Sequence, residues 1–406
     1  MRVSKHWKKV SAALALLAVF TQADANFRGT DWEGISGLVP TTGPFVLQQE
    51  LPAPASAGLF GEAVAMWHDD TSGIDWAVIG APNEDGQAGA AYVFSFAPGS
   101  TEWKQEARLV ASDRSDHDGS AFGYSVAIDH STVVVGSPLH EADFFDGAAY
   151  VFVRDEATGD WKQQGDELNS ADGGFGFAVA VNGDALAVSG PQKVLAYSRA
   201  SDIWSLLQTL PSPTTAKSNF GTSLAMSSDE LLVGAPLDSD VATSQGSAIL
   251  YSAGRDGWDL QQVLRPDSST HQFFGTSVAL GADTIAVGAP ISTTGAVYIF
   301  AFDGVKWTDR STILDTSSVS EFGFSIALSN DKLVIGGPGS GSTSIFRNNS
   351  GTWKLDSTLS GDTADDFGWC VATAGSRVIV GAPKSNVYDG EADAFIDDRI
   401  FANGFE

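Results

Sequence analysis

The chain of 406 residues has one cysteine, Cys370, so it can form no internal disulfide and must be held together by packing. Basic residues are scarce: 23 Lys and Arg stand against 50 Asp and Glu, a formal charge of −27. That balance excludes nucleic acid and anionic membrane surfaces as natural partners and favours cations or basic ligands. No apolar run is long enough to cross a bilayer; the longest, Val10 to Phe20, has eleven residues. Histidines number six and are scattered, with only His117 and His140 placed so that they could meet. There is no nucleophile elbow, phosphate-binding glycine loop, HExxH or CxxC pattern, which leaves catalysis little support.

The short apolar run has the flanks of an export signal. Arg2, Lys5, Lys8 and Lys9 precede it, and Ala23-Asp24-Ala25 follows as a small-residue cleavage site. Residues 1–25 are therefore expected to be a signal peptide cut after Ala25, giving a secreted, periplasmic or cell-surface protein. The cut removes four basic residues and one acid, so the mature chain carries 19 against 49, a charge of −30.

What the sequence has in plenty is repetition. Phe-Gly pairs occur at residues 60, 122, 175, 220, 274, 322 and 367, each followed by Gly-Ala-Pro or a near variant ending at Pro82, Pro138, Pro191, Pro236, Pro290, Pro338 and Pro383. From Phe to Pro is 16 residues in six copies and 22 in the first. A Trp stands six residues before a Leu or Ile in five copies, from Trp103/Leu109 to Trp353/Leu359, with Trp161/Leu168 one longer and Phe45/Leu51 a variant. The even spacing predicts that both side chains share one face of a strand.

Each unit reads as four strands. Strand A follows Phe-Gly, and a tight Gly/Asn/Asp turn leads to strand B, whose unbroken apolarity (Val133-Val134-Val135) marks burial on both faces. The Pro ends strand B, strand C is aromatic-rich, and the polar strand D carries the Trp. Sheets that must bury two faces pack radially into a ring. The last unit lacks a strand D of its own, and a spare one, Phe45 to Leu51, precedes the first. The expected fold is thus all-β: a seven-bladed β-propeller of four-stranded antiparallel blades over 45–396, closed by the N-terminal strand pairing in the last blade. Residues 26–44 form a lead-in and 397–406 a tail.

The Phe-Gly and Gly-Ala-Pro signatures resemble the FG-GAP repeats of the integrin α-subunit propeller, and more closely still bacterial exported proteins made only of such repeats. The resemblance covers essentially the whole mature chain and implies a seven-bladed propeller with a binding role, adhesion included. Integrin-type repeats often carry a D-x-D-x-D-G-x-x-D calcium loop between strands A and B. Here only the first A–B turn is long enough, and its Asp69, Asp70 and Asp75 lack the alternating carboxylates of that pattern. Calcium at these three residues is the one cofactor the sequence leaves open; no other is implied.

The D–A and B–C loops emerge together on the other face. There Asp116, His117 and Asp118, beside Asp113, oppose His140, Glu141, Asp143, Phe144, Phe145 and Asp146; blade 7 adds Asp365, Asp366, Tyr388 and Asp389, and blade 1 adds Glu84 and Asp85. This acidic, aromatic arc over blades 7, 1 and 2 is the expected site for a protein, glycan or cation-bridged ligand. The alternative is an extracellular carbohydrate-active enzyme or lectin on the same scaffold, or a passive structural module. The chain is expected to act as a monomer.

Overall fold

A computed structural model describes residues 41–399, apart from 52, 54–57, 114–118, 141–145, 171–173, 215–216, 268–271, 292–294, 315–320 and 330; at 41, 42, 387 and 388 it describes the backbone. The expected signal peptide and residues 400–406 of the expected tail lie outside the described residues, as do Asp116, His117, Asp118, Glu141, Asp143, Phe144, Phe145 and the Tyr388 side chain.

Seven antiparallel sheets are present. Blade 1 comprises Val64–His68, Asp75–Ala81, Ala90–Phe96 and Lys104–Leu109 as strands A to D. Blade 3 comprises Val179–Asn182, Ala185–Gly190, Lys193–Ala200 and Ile203–Pro211. Blades 4, 5 and 6 repeat the order, and in blade 2 strand D is broken into Trp161–Gln163 and Leu168–Asn169. Blade 7 has strands A, B and C at Cys370–Ala374, Arg377–Ala382 and Glu391–Asp397. Its fourth strand is Phe45–Leu51, paired antiparallel from Phe45 opposite Asp397 to Leu51 opposite Ala392. Each inner strand A packs on the next, and that of blade 7 on that of blade 1. The circle is closed.

The repeated residues now have physical reasons. All seven Phe of the Phe-Gly pairs are buried, each between two blades. Phe60, for example, sits edge-on to Tyr92 and Phe94 of its own blade and in one cluster with Ile379, Ala392 and Ala394 of blade 7. The Gly that follows has φ between 89° and 96° in every blade, a region only glycine enters freely. Its N–H donates to the carbonyl of the first residue of Gly-Ala-Pro or its variant in the same blade, as in Gly123 to Gly136 at 3.0 Å, Gly176 to Ser189 at 2.9 Å and Gly368 to Gly381 at 3.1 Å. That bond ties the head of strand A to the end of strand B in every blade, and in blade 1 it spans a six-residue longer A–B connection, Gly61 to Gly80 at 3.0 Å.

The Gly carbonyl in turn accepts from the preceding blade. Ser125, Ser223, Ser277 and Ser325 hydroxyls donate to Gly176, Gly275, Gly323 and Gly368 at 2.9, 3.0, 2.7 and 3.0 Å. Cys370 stands where those serines stand, and its thiol makes the same bond to Gly61 at 2.9 Å across the closing seam. Burial pushes the Cys370 thiol well up, so it is an inert, packed group rather than a reactive one.

The Trp–Leu spacing proves to mean something other than expected. Trp258 packs between blades 3 and 4 and Leu264 between blades 4 and 5. Trp103 and Leu109, and Trp307 and Ile313, are likewise divided. The pair lies on opposite faces because a β-bulge interrupts each of these D strands, between Leu250 and Tyr251 in the blade 4 register, and adds one residue. Six residues along strand D thus match five on strand C. Each D strand therefore staples two interfaces. The Gln beside the bulge reinforces one of them: Gln208 accepts from Trp258 N–H at 2.6 Å, Gln262 from Trp307 at 3.0 Å, and Gln49 from Trp103 at 2.7 Å. A further addition is Thr41–Thr42, which pairs with the outer strand of blade 6, opposite Leu359 and Thr358.

Candidate binding face

Strand A begins at the face where the D–A and B–C loops emerge, and the residue after each Phe-Gly stands at its head. In chain order these are Glu62, Tyr124, Phe177, Thr222, Thr276, Phe324 and Trp369, all half-buried. Phe324 and Trp369 rings lie 4.6 Å apart across blades 6 and 7, and Tyr124 and Phe177 5.0 Å apart across blades 2 and 3. Glu62, on blade 1, sits between the two pairs and takes a hydrogen bond from Trp369. Thr222 and Thr276 turn their hydroxyls back to the Asn219 and Phe273 carbonyls at 2.8 and 2.7 Å. The inner rim is thus aromatic over four blades, with one acid in the middle of them.

Burial pushes the Glu62 carboxyl up to about 7; the charge of Asp366 adds to this, while the Trp369 hydrogen bond and Lys384 oppose it. Tyr124 is pushed up by burial and by Glu62. Lys384 is itself held by Asp366 at 2.8 Å.

Outside the rim, the loop acids are met by residues at the ends of D strands. In blade 1, Arg108 lies 2.6 Å from buried Glu84 and 3.0 Å from Asp85, and Tyr92 donates to Glu84 at 2.5 Å. In blade 2, Asp113 lies 3.4 Å from His140, and the Tyr150 hydroxyl reaches both, at 3.0 and 3.3 Å. The D–A and B–C loops therefore do meet there. Asp146 and Asp389 bind the next blade through their carbonyls, which accept from Phe175 and Phe60 N–H at 3.1 and 3.0 Å. Asp365 and Asp366 lie at a turn, Thr363–Asp365, that touches the helical turn Ser385–Tyr388. Burial raises the Asp365 carboxyl, helped by Asp362, Glu391 and Asp366.

The three aspartates of the first A–B turn lie on the opposite face and are separately engaged. Asp69 accepts from the Ser72 hydroxyl and Thr71 N–H at 2.5 and 2.9 Å, which lowers its carboxyl. Asp70 is fully exposed, 3.8 Å from His68. Asp75 is buried against the Arg377 guanidinium and His68. Among the described residues no group of three His, Cys, Asp or Glu side chains could hold a metal ion.

Blade 7 differs in one further respect. Asp393 holds the strand C position occupied by Tyr92, Tyr150 and Tyr298, next to the residue opposite the Gly of Gly-Ala-Pro. It is buried, with Oδ1 unpartnered. Burial, and then Glu391 and Glu50, push its carboxyl up to about 8. Asp393 and Glu62 thus keep protons that the unfolded chain has already released. Stability is full below the unfolded carboxylate range and is lost as pH rises toward 7 to 8. Unfolding free energy is expected to fall by about 2 kcal/mol or more between about pH 5 and pH 7. Buried Lys332, lowered to about 7, has the opposite sign and acts above that pH. Urea titrations of wild type and Asp393→Asn check this: the variant should lose about half of the slope.

A ring of seven four-stranded wedges, with an aromatic inner rim over four of them, is a seven-bladed β-propeller. Three stretches of the sequence match a known repeat family. The FG-GAP repeat model matches residues 103–152, 207–251 and 258–300. Each match runs from a strand D through strand C of the next blade, so the sequence unit is offset from the structural one by a strand. Three matched repeats in a ring of seven blades fit an FG-GAP repeat β-propeller. No curated protein matches it.

Proposed function

We propose that this is an exported binding protein whose loop-bearing face takes a partner protein by a basic side chain, an adhesive role being the natural setting. Export rests on the Arg2 to Ala25 pattern, and among the described residues no helix is long and apolar enough to cross a membrane. One observation carries the reading. Glu62 stands between Trp369 and Tyr124, with Phe324 and Phe177 behind them, at the centre of the face. Aromatic faces attract a cation, and a half-buried carboxylate pairs it at reduced dielectric. The acid loops of blades 7, 1 and 2 surround this rim and steer a basic partner toward it.

The geometry also gives a pH dependence. A cation gains most from Glu62 once it is ionised, so affinity should rise as pH passes through about 7. Trp369 fluorescence, titrated with short Lys- or Arg-bearing peptides, reads the binding. Glu62→Gln should weaken it by about tenfold, a loss of about 1.4 kcal/mol, and flatten the pH profile. Binding that is indifferent to Glu62→Gln and Trp369→Ala would overturn the reading. Saturation by neutral oligosaccharides, dependent on the same aromatic residues, would favour a lectin instead.

A further inference from the structure

The outer strands of the blades are the rim of the ring, and an exposed strand edge offers unpaired N–H and C=O groups to any other strand. Proteins blunt such edges with charge. Six of the seven outer strands here follow that rule: Lys104, Glu106 and Arg108 in blade 1, Lys162 in blade 2, Asp259 in blade 4, Asp309 and Arg310 in blade 5, Lys354 and Asp356 in blade 6, and Glu50 in blade 7. The blade 3 strand, Ile203–Pro211, has none over nine residues. It is joint longest with that of blade 6, and among the described residues no strand pairs on its outer side. It also shows Ile203, Leu206 and Leu207 to solvent, 68 %, 53 % and 44 % exposed, with Leu260 of the neighbouring blade 51 % exposed.

The molecule itself shows what such an edge accepts. On blade 6, the strand of equal length is extended by a fifth strand, Thr41–Thr42, added antiparallel on its outer side. Among the described residues, blade 3 presents the same geometry without an occupant.

We infer that the outer strand of blade 3 is a self-association edge, on which a second copy of this chain adds its own Ile203–Pro211 strand antiparallel across a twofold axis. Two facts select a second copy over an unrelated partner. An antiparallel pair of identical strands is self-complementary, as a twofold interface requires. Two copies of a chain of net charge −27 repel wherever they meet, and this strip is the one outer strand that brings no charge of either sign into the contact. Leu206 and Leu207 then meet their counterparts near the axis and leave water together. The bulge at Leu207 makes the contact a short ladder flanked by apolar side chains. The contact lies on the rim, so it leaves the aromatic face of both copies open and yields a bivalent binder.

Sedimentation velocity of the chain from residue 26 onward, over a range of about 1 to 100 µM, tests this. The expected result is a monomer–dimer equilibrium that tightens with salt, as charge repulsion is screened. Leu206→Lys should weaken it by at least about tenfold with an unchanged melting temperature, since the side chain is exposed. Leu355→Lys, at a similarly exposed position (58 %) on the outer strand of blade 6, should leave it intact. A wild-type chain that stays monomeric throughout the range overturns the inference, as does a dimer untouched by Leu206→Lys. Neither result bears on Glu62, so failure here is distinct from failure of the binding reading.

Discussion

Gly136→Ala is expected to destabilise the whole ring by at least about 4 kcal/mol, or to prevent folding, although it adds one methyl group. The cause is an interface with no room. A Cβ on Gly136 would lie 2.0 Å from the Gly176 carbonyl oxygen of blade 3 and 2.2 Å from the Ser125 hydroxyl that donates to it. Both are fixed: one is backbone and the other is its hydrogen-bond partner. The same collision awaits at Gly80, Gly234, Gly288, Gly336 and Gly381, with separations of 1.9 to 2.2 Å. Blade 3 supplies an internal control. Ser189 already occupies the equivalent position, and there strand A has Ala178 in place of the serine, whose N–H donates to the Ser189 hydroxyl at 2.7 Å. Ser189→Gly should therefore change stability by less than about 1.5 kcal/mol. Urea denaturation of the two variants separates a crowded seam from a general intolerance of change. A Gly136→Ala protein that melts like wild type would show that the blades can slide apart.

Deleting the closing strand is expected to have an effect as large by a different route. A chain beginning at Ala53 loses Phe45–Leu51 and the Thr41–Thr42 strand together. Phe45 and Leu51 are wholly buried, and each contributes about 1.5 to 3 kcal/mol of apolar burial. Phe45 also lies under buried Lys332 at 5.5 Å and Arg347 at 5.9 Å, whose environment would open to water. Strand C of blade 7 would become a bare edge with alternate apolar residues. The truncated protein should melt at least about 10 °C lower, with loss of a single cooperative transition, and should aggregate. A synthetic peptide spanning the deleted strand should restore part of the loss, because the edge it fills is otherwise intact. Equal melting temperatures with and without the strand would mean that the circle does not depend on its latch.

Much of this architecture is legible in the residues alone. The Phe-Gly and Gly-Ala-Pro signatures sit at the two ends of one hydrogen bond in each blade, so they recur wherever the blade does, even where the A–B turn between them is longer. The displaced strand at Phe45–Leu51 follows from the offset between sequence unit and blade, which leaves one strand over at the start and one wanting in the last blade. The division of Trp and Leu between two faces was not legible, because a β-bulge is a backbone event that no residue type announces. The aromatic rim was missed for a related reason. Glu62, Tyr124, Phe177, Phe324 and Trp369 share a position but not a chemistry, so they look like noise beside an invariant Phe-Gly. Their common offset from that pair was the available signal. The loop acids were visible as charge, but the partner of Glu84 is Arg108, 24 residues on, and only the antiparallel register brings the two together.

The latch has a mechanical consequence as well. Phe45 lies opposite Asp397, and the Asp398 N–H donates to the Pro44 carbonyl at 2.8 Å, so the chain enters and leaves the last blade at the same corner. A pull applied to both of these points loads the ladder one rung at a time, like a zip, instead of shearing all its rungs at once. If the protein is tethered at one of them and grips its ligand at the central rim, the tension bypasses the latch. Such a module would bear load well when anchored by one end and poorly when strung between two.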